Sequence, residues 1–253
     1  MNGLVTGIGI FDKWLVDINL ATVRSSFLSR MISMFRTLLS GLCLLSVASI
    51  AHGQPATASE QLLSQFSRCD AQFFQSLNTA QLPAATLTVA KYGAVSAPKV
   101  LNPLQEGGRY QAFEQPLLVN GVRLVGYYNE ARSLKSVGNL LFWGFIAEGE
   151  PHEVAAALKP LLVDNHRLKA DRSAMVRGEI RRVGDPIDSW RTEGLAGGVA
   201  TPFGFVERVL SIDKGISNAP IAGRTTIFCS LQGTVTAPLL QVYRPDLNAH
   251  LLD

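Results

Sequence analysis

The sequence is poor in histidine and cysteine, and the familiar catalytic motifs are missing from it. Its 253 residues include four histidines and three cysteines. Neither the G-x-S-x-G motif of α/β-hydrolases nor the P-loop of nucleotide-binding enzymes is present, which excludes the usual forms of both classes. His152-Glu153 begins like the helix of a zinc protease, but Ala156 occupies the position of the second histidine ligand. We therefore expect no metal, no cofactor and no catalysis of these kinds.

A large excess of charge is also missing. The chain has 23 Lys and Arg against 20 Asp and Glu, and from Gln54 onward the balance is 19 to 18. Proteins that bind nucleic acid usually carry a basic excess, because phosphate contacts dominate their affinity. The balanced charge therefore predicts no nucleic-acid partner. An apolar fraction of 47% and a charged fraction of 17% are typical of a packed domain and exclude a disordered chain.

No apolar run predicts a permanent membrane span. The uncharged stretch from Leu38 to Ala51 has fourteen residues, whereas a spanning helix needs about 20. Arg36 precedes this stretch, and small residues at Ala51 and Gly53 suit a cleavage site, a combination typical of a secretory signal peptide. We predict a signal peptide over residues 31–53 and no membrane span after cleavage. An uncleaved signal that tethers the domain to a membrane is the alternative.

The internal position of this signal sets the domain boundaries. Residues 1–30 carry charges between short apolar runs and resemble neither a signal nor a domain. We interpret them as a spurious or disordered N-terminal extension. Residues 54–253 then form a single exported domain, long enough to bury its own core. The expected location is periplasmic or secreted.

Two cysteines, Cys69 and Cys229, lie in the predicted exported domain. An even pair in an oxidising compartment usually forms a disulfide. Two separate buried thiols are the alternative, because free cysteine packs like a small hydrophobic residue. We predict a disulfide that joins the beginning of the domain to its end.

The first half of the domain has clear local patterns. Thr57 opens a capping box, and the helical spacing of apolar residues after it predicts a helix over 58–77 with Cys69 on the buried side. Asn120-Gly121 separates two strand-like segments and predicts a tight β-hairpin. Residues 139–149 are apolar at nearly every position, which indicates a strand buried on both faces.

The second half shows a similar order. Pro151 begins a predicted helix that Pro160 ends or kinks. Three predicted strands follow, and a short helix closes the chain. The strands cover residues 173–183, 203–213 and 224–233.

These elements predict an α+β fold with a mostly antiparallel sheet and helices packed on one face. Alignment of Gly149 with Gly233 divides the domain into two similar α-βββ halves, residues 54–149 and 150–253. A single α+β domain without internal duplication is the alternative.

Two carboxylates form the one candidate catalytic pair. Asp185 and Asp188 are three residues apart and precede Trp190, whose ring could stack on a sugar. Paired carboxylates divide acid and base roles when their surroundings separate their pKa values. Asp-Pro beside a glycine is also an ordinary turn, in which the aspartate accepts backbone hydrogen bonds. The turn is the simpler interpretation.

A basic segment is the candidate binding surface. Residues 166–182 carry six Lys and Arg against two acids. Arg177, Arg181 and Arg182 lie along a predicted strand, with Trp190 beyond its end. We predict that these four residues bind an acidic protein partner. A solvated polar face of the sheet is the alternative.

The sequence thus favours an exported, non-catalytic protein that binds another macromolecule. An inhibitor, an immunity-type protein or an envelope accessory factor would each fit this description. The alternative is a secreted hydrolase that acts on glycan or cell-wall substrates through Asp185 and Asp188.

Overall fold

The computed structural model describes residues 56–83, 86–134, 138–192, 199–215 and 221–248. These residues belong to one compact unit, Gly53–Asp253. The predicted signal peptide over 31–53 and the predicted extension over 1–30 lie outside the described residues. Within the described ranges, none of the helices has the length and apolar character required to cross a membrane.

The described part of the chain contains four α-helices and nine strands. The helices are α1 (Ala58–Phe66), α2 (Ala71–Ser76), α3 (Pro151–Leu158) and α4 (Ala237–Tyr243). The strands are β1 (Val89–Tyr92), β2 (Val95–Pro98), β3 (Tyr110–Val119), β4 (Val122–Leu134), β5 (Gly138–Ala147), β6 (Lys169–Asp171), β7 (Ala174–Arg182), β8 (Phe205–Lys214) and β9 (Thr225–Gly233). The fold is broadly α+β with a mostly antiparallel sheet, as the sequence predicts, although helices are few.

The first helix starts where the sequence predicts. The Thr57 side chain accepts a hydrogen bond from the Glu60 N–H at 3.2 Å. The Glu60 carboxylate in turn accepts one from the Thr57 N–H at 2.7 Å. This capping box satisfies two of the backbone donors that a helix leaves free at its N-terminus.

The prediction of one continuous helix over 58–77 is wrong. The chain leaves the helical conformation at Cys69, whose φ of 54° is left-handed. Asp70 then caps α2 by accepting a hydrogen bond from the Gln72 N–H at 2.9 Å. Aspartate is among the strongest N-cap residues, so a second helix start interrupts the periodic apolar pattern.

Cys69 and Cys229 form the predicted disulfide. Both residues are fully buried, and their Cα atoms are 5.4 Å apart. Cys229 lies in β9, near the middle of the sheet. The bond therefore fixes the junction between α1 and α2 to the central strands.

Seven strands form one antiparallel sheet in the order β3-β4-β5-β9-β8-β7-β6. The β3–β4 hairpin turns at Asn120 and Gly121, which both have positive φ, as predicted. The strands β3–β4–β5 form one meander and β7–β8–β9 form another, and the two meanders join through β5 and β9. β1 and β2 form a separate hairpin; β2 and the three-residue β6 are strands that the sequence pattern does not indicate.

A glycine, Gly144, lies where the two meanders join. Aligning Gly149 with Gly233 places Gly144 at Phe228, and these two residues are direct partners in the β5–β9 ladder. A Cβ at position 144 would lie 2.1 Å from the carbonyl oxygen of Ile227. Glycine therefore permits the close approach of the two strands. An internal duplication of sequence stays a prediction.

The two faces of the sheet differ. One face, here called the covered face, carries Trp143, Phe145 and Cys229. The Phe66 ring of α1 contacts the Phe145 ring at 5.0 Å, and the Phe74 ring of α2 lies 6.3 Å from Trp143. Alternate residues of a strand point to opposite faces. The other side, here called the outer face, therefore carries the residues between them. Phe142 and Phe228 on this face are only half-buried, whereas Trp143 and Cys229 are fully buried.

Candidate functional site

Two of the four predicted binding residues are buried. Arg177 and Arg181 are only 4% and 2% exposed, so neither side chain is available to a partner in this structure. The Arg177 guanidinium donates hydrogen bonds to the carbonyl oxygens of Ser67, at 2.6 Å, and Val163. Ser67 ends α1. The guanidinium therefore satisfies the Ser67 carbonyl, which the helix leaves free, and its positive charge suits the negative end of the helix dipole.

Arg181 has a similar structural role. Its guanidinium donates to the carbonyl oxygens of Asp185 and of Pro186, the latter at 2.9 Å. Both carbonyls belong to the turn that follows β7. Arg181 thus holds this turn against the sheet.

The sequence pattern of β7 suggests the wrong face for the core. Val176 and Ile180 lie opposite the charged residues of the strand, and they are only half-buried. The charged side lies inward because Glu179 forms ion pairs with Arg208 and Arg167, the second at 2.9 Å. Burial lowers the pKa of the Arg177 guanidinium, and the negative charge of Glu179 opposes that shift. A network of paired charges replaces the apolar contacts expected on this side.

Trp190 belongs to the same internal network. Its indole N–H donates to the Tyr243 hydroxyl at 2.7 Å, and that hydroxyl donates to the Ile187 carbonyl at 2.8 Å. The Arg208 guanidinium lies 4.6 Å from the Trp190 ring centroid, and that of Arg181 lies 5.7 Å from it. These contacts use the ring faces as cation–π partners. The half-buried indole therefore supports the fold locally.

The carboxylate pair occupies the turn after β7. Asp185 Oδ2 accepts a hydrogen bond from the Arg182 N–H at 3.1 Å. The Asp188 carbonyl accepts one from the Trp190 N–H at 3.0 Å, and the Asp188 side chain is exposed. Aspartate with these backbone contacts is typical of a turn. No contact among the described residues favours the acid–base role, which stays a prediction.

An exposed surface is present at the same end of the sheet. Arg182 is exposed, and its guanidinium makes no hydrogen bond or ion pair with another described residue. Phe203 is 95% exposed, and Val199 and Ile187 are also exposed. The Val183 N–H donates to the Gly204 carbonyl at 2.8 Å, which joins the two parts of the β7–β8 connection beside Arg182. We call Arg182, Ile187, Val199 and Phe203 the β7–β8 end surface.

Sequence reasoning missed Phe203. The glycine-rich segment around it indicates only a loop between two strands. An aromatic residue in such a loop was the available signal, because loops cover little and leave large side chains in solvent. Arg182 is the one predicted binding residue that lies in this exposed surface.

A groove runs along the outer face of the sheet. Its volume is about 310 Å³. Thirteen residues line it: Tyr128, Glu130, Arg132, Leu140, Phe142, Gly144, Phe145, Ile146, Asp213, Lys214, Ile221, Thr226 and Phe228. The Phe142 and Phe228 rings meet edge to face with centroids 5.8 Å apart. We call this feature the outer groove.

Charged residues are present at both ends of the outer groove. At one end, the buried Glu130 carboxylate forms ion pairs with Arg109, at 3.2 Å, and with Arg132. Tyr128 donates a hydrogen bond to the same carboxylate. Burial and this bond to Glu130 raise the pKa of Tyr128 well above its usual range. At the other end, Lys214 Nζ lies 2.9 Å from a carboxylate oxygen of Glu150.

A second hollow of about 660 Å³ lies beside α1 and α2. Polar side chains of both helices and of the following turn contribute to its lining, including Gln61, Gln65, Ser76 and Thr79. In the described part of the chain, no group of three or more His, Cys, Asp and Glu residues is arranged to hold a metal ion.

Comparison with known proteins adds no information about this site. Comparison of the chain with family models, with curated proteins and with solved structures gives no match. Function is therefore argued from the residues and contacts of this chain alone.

Proposed function

We propose that this chain is an exported, periplasmic protein without catalytic activity that binds another protein through the β7–β8 end surface. The single observation that supports this proposal most is the 95% exposure of Phe203. Aromatic residues and arginine are enriched at protein interfaces and supply most of their strong contacts. Phe203 and Arg182 offer one of each within the same loop cluster.

The disulfide supports export. Structural disulfides form and persist in oxidising compartments and are rare in the cytosol. The Cys69–Cys229 bond is fully buried and links the first helices to the central strands. An inhibitor, an immunity-type protein or an envelope accessory factor would need this kind of durable fold.

The residues of the β7–β8 end surface indicate the chemical character of the partner's contact surface. Ile187, Val199 and Phe203 present apolar contact area, and Arg182 presents a cation with no described counterion. A complementary partner carries an apolar pocket for the phenyl ring and an acidic residue beside it. The proposed partner is therefore still the acidic protein predicted from the sequence. Of the four predicted contact residues, only Arg182 is part of the proposed surface.

Co-isolation from the cell envelope tests the proposal. A tagged protein is recovered after gentle crosslinking, and the recovery of its partner is compared among variants. Phe203→Ser and Arg182→Glu should each reduce the recovered partner at least tenfold. Leu101→Ser and Arg123→Glu are matched controls, since both residues are exposed at other sites. Equal recovery with Phe203→Ser and Leu101→Ser would refute this surface.

A further inference from the structure

The outer groove has an apolar middle and polar ends. Leu140, Phe142 and Ile146 of β5 form its floor, and Phe228 of β9 stands beside them. Gly144 lies at the centre of the floor and adds no side chain. Apolar pockets of a few hundred Å³ with a few polar groups at their edges are the usual form of small-ligand sites.

The hydroxyl and backbone donors at the middle of the groove are already used within the protein. β5 and β9 are interior strands, so their backbone groups are paired with a neighbouring strand on each side. The Tyr128 hydroxyl is used by Glu130, and the Thr226 hydroxyl donates to the Asp213 carbonyl at 3.1 Å. A peptide or sugar in the groove would lose its own hydrogen bonds to water without replacement. An aliphatic chain loses none.

The dimensions of the groove fit one such chain. Leu140 to Ile146 spans six residue steps of β5, which is about 20 Å of strand. The groove volume of about 310 Å³ equals about ten water molecules. By volume the groove therefore has room for roughly ten carbon atoms, and an extended chain of that number is shorter than this stretch of β5.

The charges at the ends of the groove orient the ligand. Arg132 is 46% exposed at its side chain, and its ion pair with Glu130 is made through Nε. Its two terminal nitrogens form no hydrogen bond with any described residue, and a guanidinium fork binds a carboxylate with two parallel bonds. At the other end, Lys214 Nζ donates hydrogen bonds to both carboxylate oxygens of Glu150, and Asp213 adds a further negative charge. An anionic head therefore favours the Arg132 end.

We infer that the outer groove binds an unbranched aliphatic carboxylate of about ten carbons, with its carboxylate on Arg132 and its chain over Phe142 and Phe228. Glu130 positions Arg132, and Arg109 neutralises the buried Glu130. This site lies apart from the β7–β8 end surface, so its failure leaves the proposed protein partner standing, and the reverse also holds.

Titration calorimetry with three ten-carbon probes tests the inference on the disulfide-bonded protein. Decanoate should bind, and decanol and decyltrimethylammonium should bind at least tenfold more weakly. Arg132→Gln should weaken decanoate binding about tenfold. Arg123→Gln is the matched control, since Arg123 lies in the same strand and pairs with exposed Glu148 through Nε at 2.8 Å; it should leave binding unchanged.

A second variant and a second source of anionic chains complete the test. Leu140→Gln places a polar group on the half-buried floor and should weaken decanoate and decanol alike. Equal binding of decanoate and decanol, or no effect of Arg132→Gln, would overturn the inference. So would binding to vesicles of phosphatidylglycerol without binding of free decanoate, because the ligand would then be a membrane surface.

Discussion

The rings of Phe142 and Phe228 meet edge to face, 5.8 Å between centroids, on the two strands that join the meanders of the sheet. Their neighbours along the strands, Trp143 and Cys229, lie in the core. The disulfide joins Cys229 to Cys69, and the Trp143 ring contacts the Phe74 ring of α2. The junction therefore has a rigid covered side and an outer side where two aromatic rings stay half-buried. The outer groove is a direct result of this asymmetry.

The disulfide should contribute a large part of the stability of the domain. Cys69 and Cys229 are 160 residues apart in sequence, and removal of a native disulfide typically costs about 2–5 kcal/mol. Reduction of the native protein should lower the free energy of unfolding by that amount in urea titrations. The double variant Cys69→Ala/Cys229→Ala should have the same free energy of unfolding as the reduced protein, and reductant should not change it. A native unfolding midpoint that reductant leaves unchanged would contradict the structure.

The two members of the buried ion pair at the end of α4, Arg244 and Asp246, should depend strongly on each other for their effect on stability. Arg244 is fully buried, and Asp246 accepts hydrogen bonds from its Nε and Nη2 at 2.9 Å each. Asp246→Ala leaves a buried charge without its partner and should cost about 3–5 kcal/mol. The double variant Arg244→Met/Asp246→Ala should cost clearly less than that single change, as measured in urea. Glu148→Gln, which breaks an exposed pair, should stay within about 0.5 kcal/mol of the native protein.

Two tyrosines should make the protein sensitive to alkali. Burial raises the pKa of Tyr127 and of Tyr128 well above the usual range, and Glu130 adds to the second shift. In the unfolded chain both titrate near pH 10, at about the ordinary value. Because the folded pKa is the higher one, the free energy of unfolding should hold below about pH 10 and fall above it.

Urea midpoints between pH 8 and pH 11 measure this decline. Tyr127→Phe/Tyr128→Phe should flatten the curve above pH 10, and Tyr92→Phe, at a partly exposed site, is the control. A decline of the same steepness in the double variant would assign the alkaline sensitivity to other groups.

The strand junction should tolerate no side chain at position 144. A Cβ there would lie 2.1 Å from the Ile227 carbonyl oxygen and 2.6 Å from the Phe228 Cα. Gly144→Ala should therefore cost about 3 kcal/mol, the upper end of overpacking in a core. Gly107→Ala is the control, because its Cβ meets nothing within 4 Å. Equal unfolding midpoints for the two variants would refute the close approach of β5 and β9.

Local patterns in the sequence predict many of the elements. Thr57 with Glu60, Asn120 with Gly121, and Pro151 each mark a start or a turn through contacts within a few residues, and the structure has each one. The break at Cys69 is not predicted, because the apolar spacing continues across it and only the capping by Asp70 reveals a second helix start.

The binding residues are harder to predict because they depend on distant contacts. Alternation along β7 predicts an apolar covered side with arginines in solvent. The structure reverses this, since the covered side offers the Ser67 carbonyl and the Arg208 guanidinium to Arg177 and Glu179. The exposure of Phe203 depends on how the β7–β8 connection folds back on Val183. These contacts join residues that are far apart in the sequence, so no local sequence pattern predicts them.

Crosslinking in living cells tests the central claim, that the β7–β8 end surface binds a protein partner. A photoreactive amino acid is placed at position 203 in one strain and at position 101 in another, where Leu101 is 88% exposed outside this surface. We predict one discrete adduct from position 203, lost when Arg182→Glu is added, and none of that size from position 101. The same adducts from both positions, or none from position 203, would contradict the account.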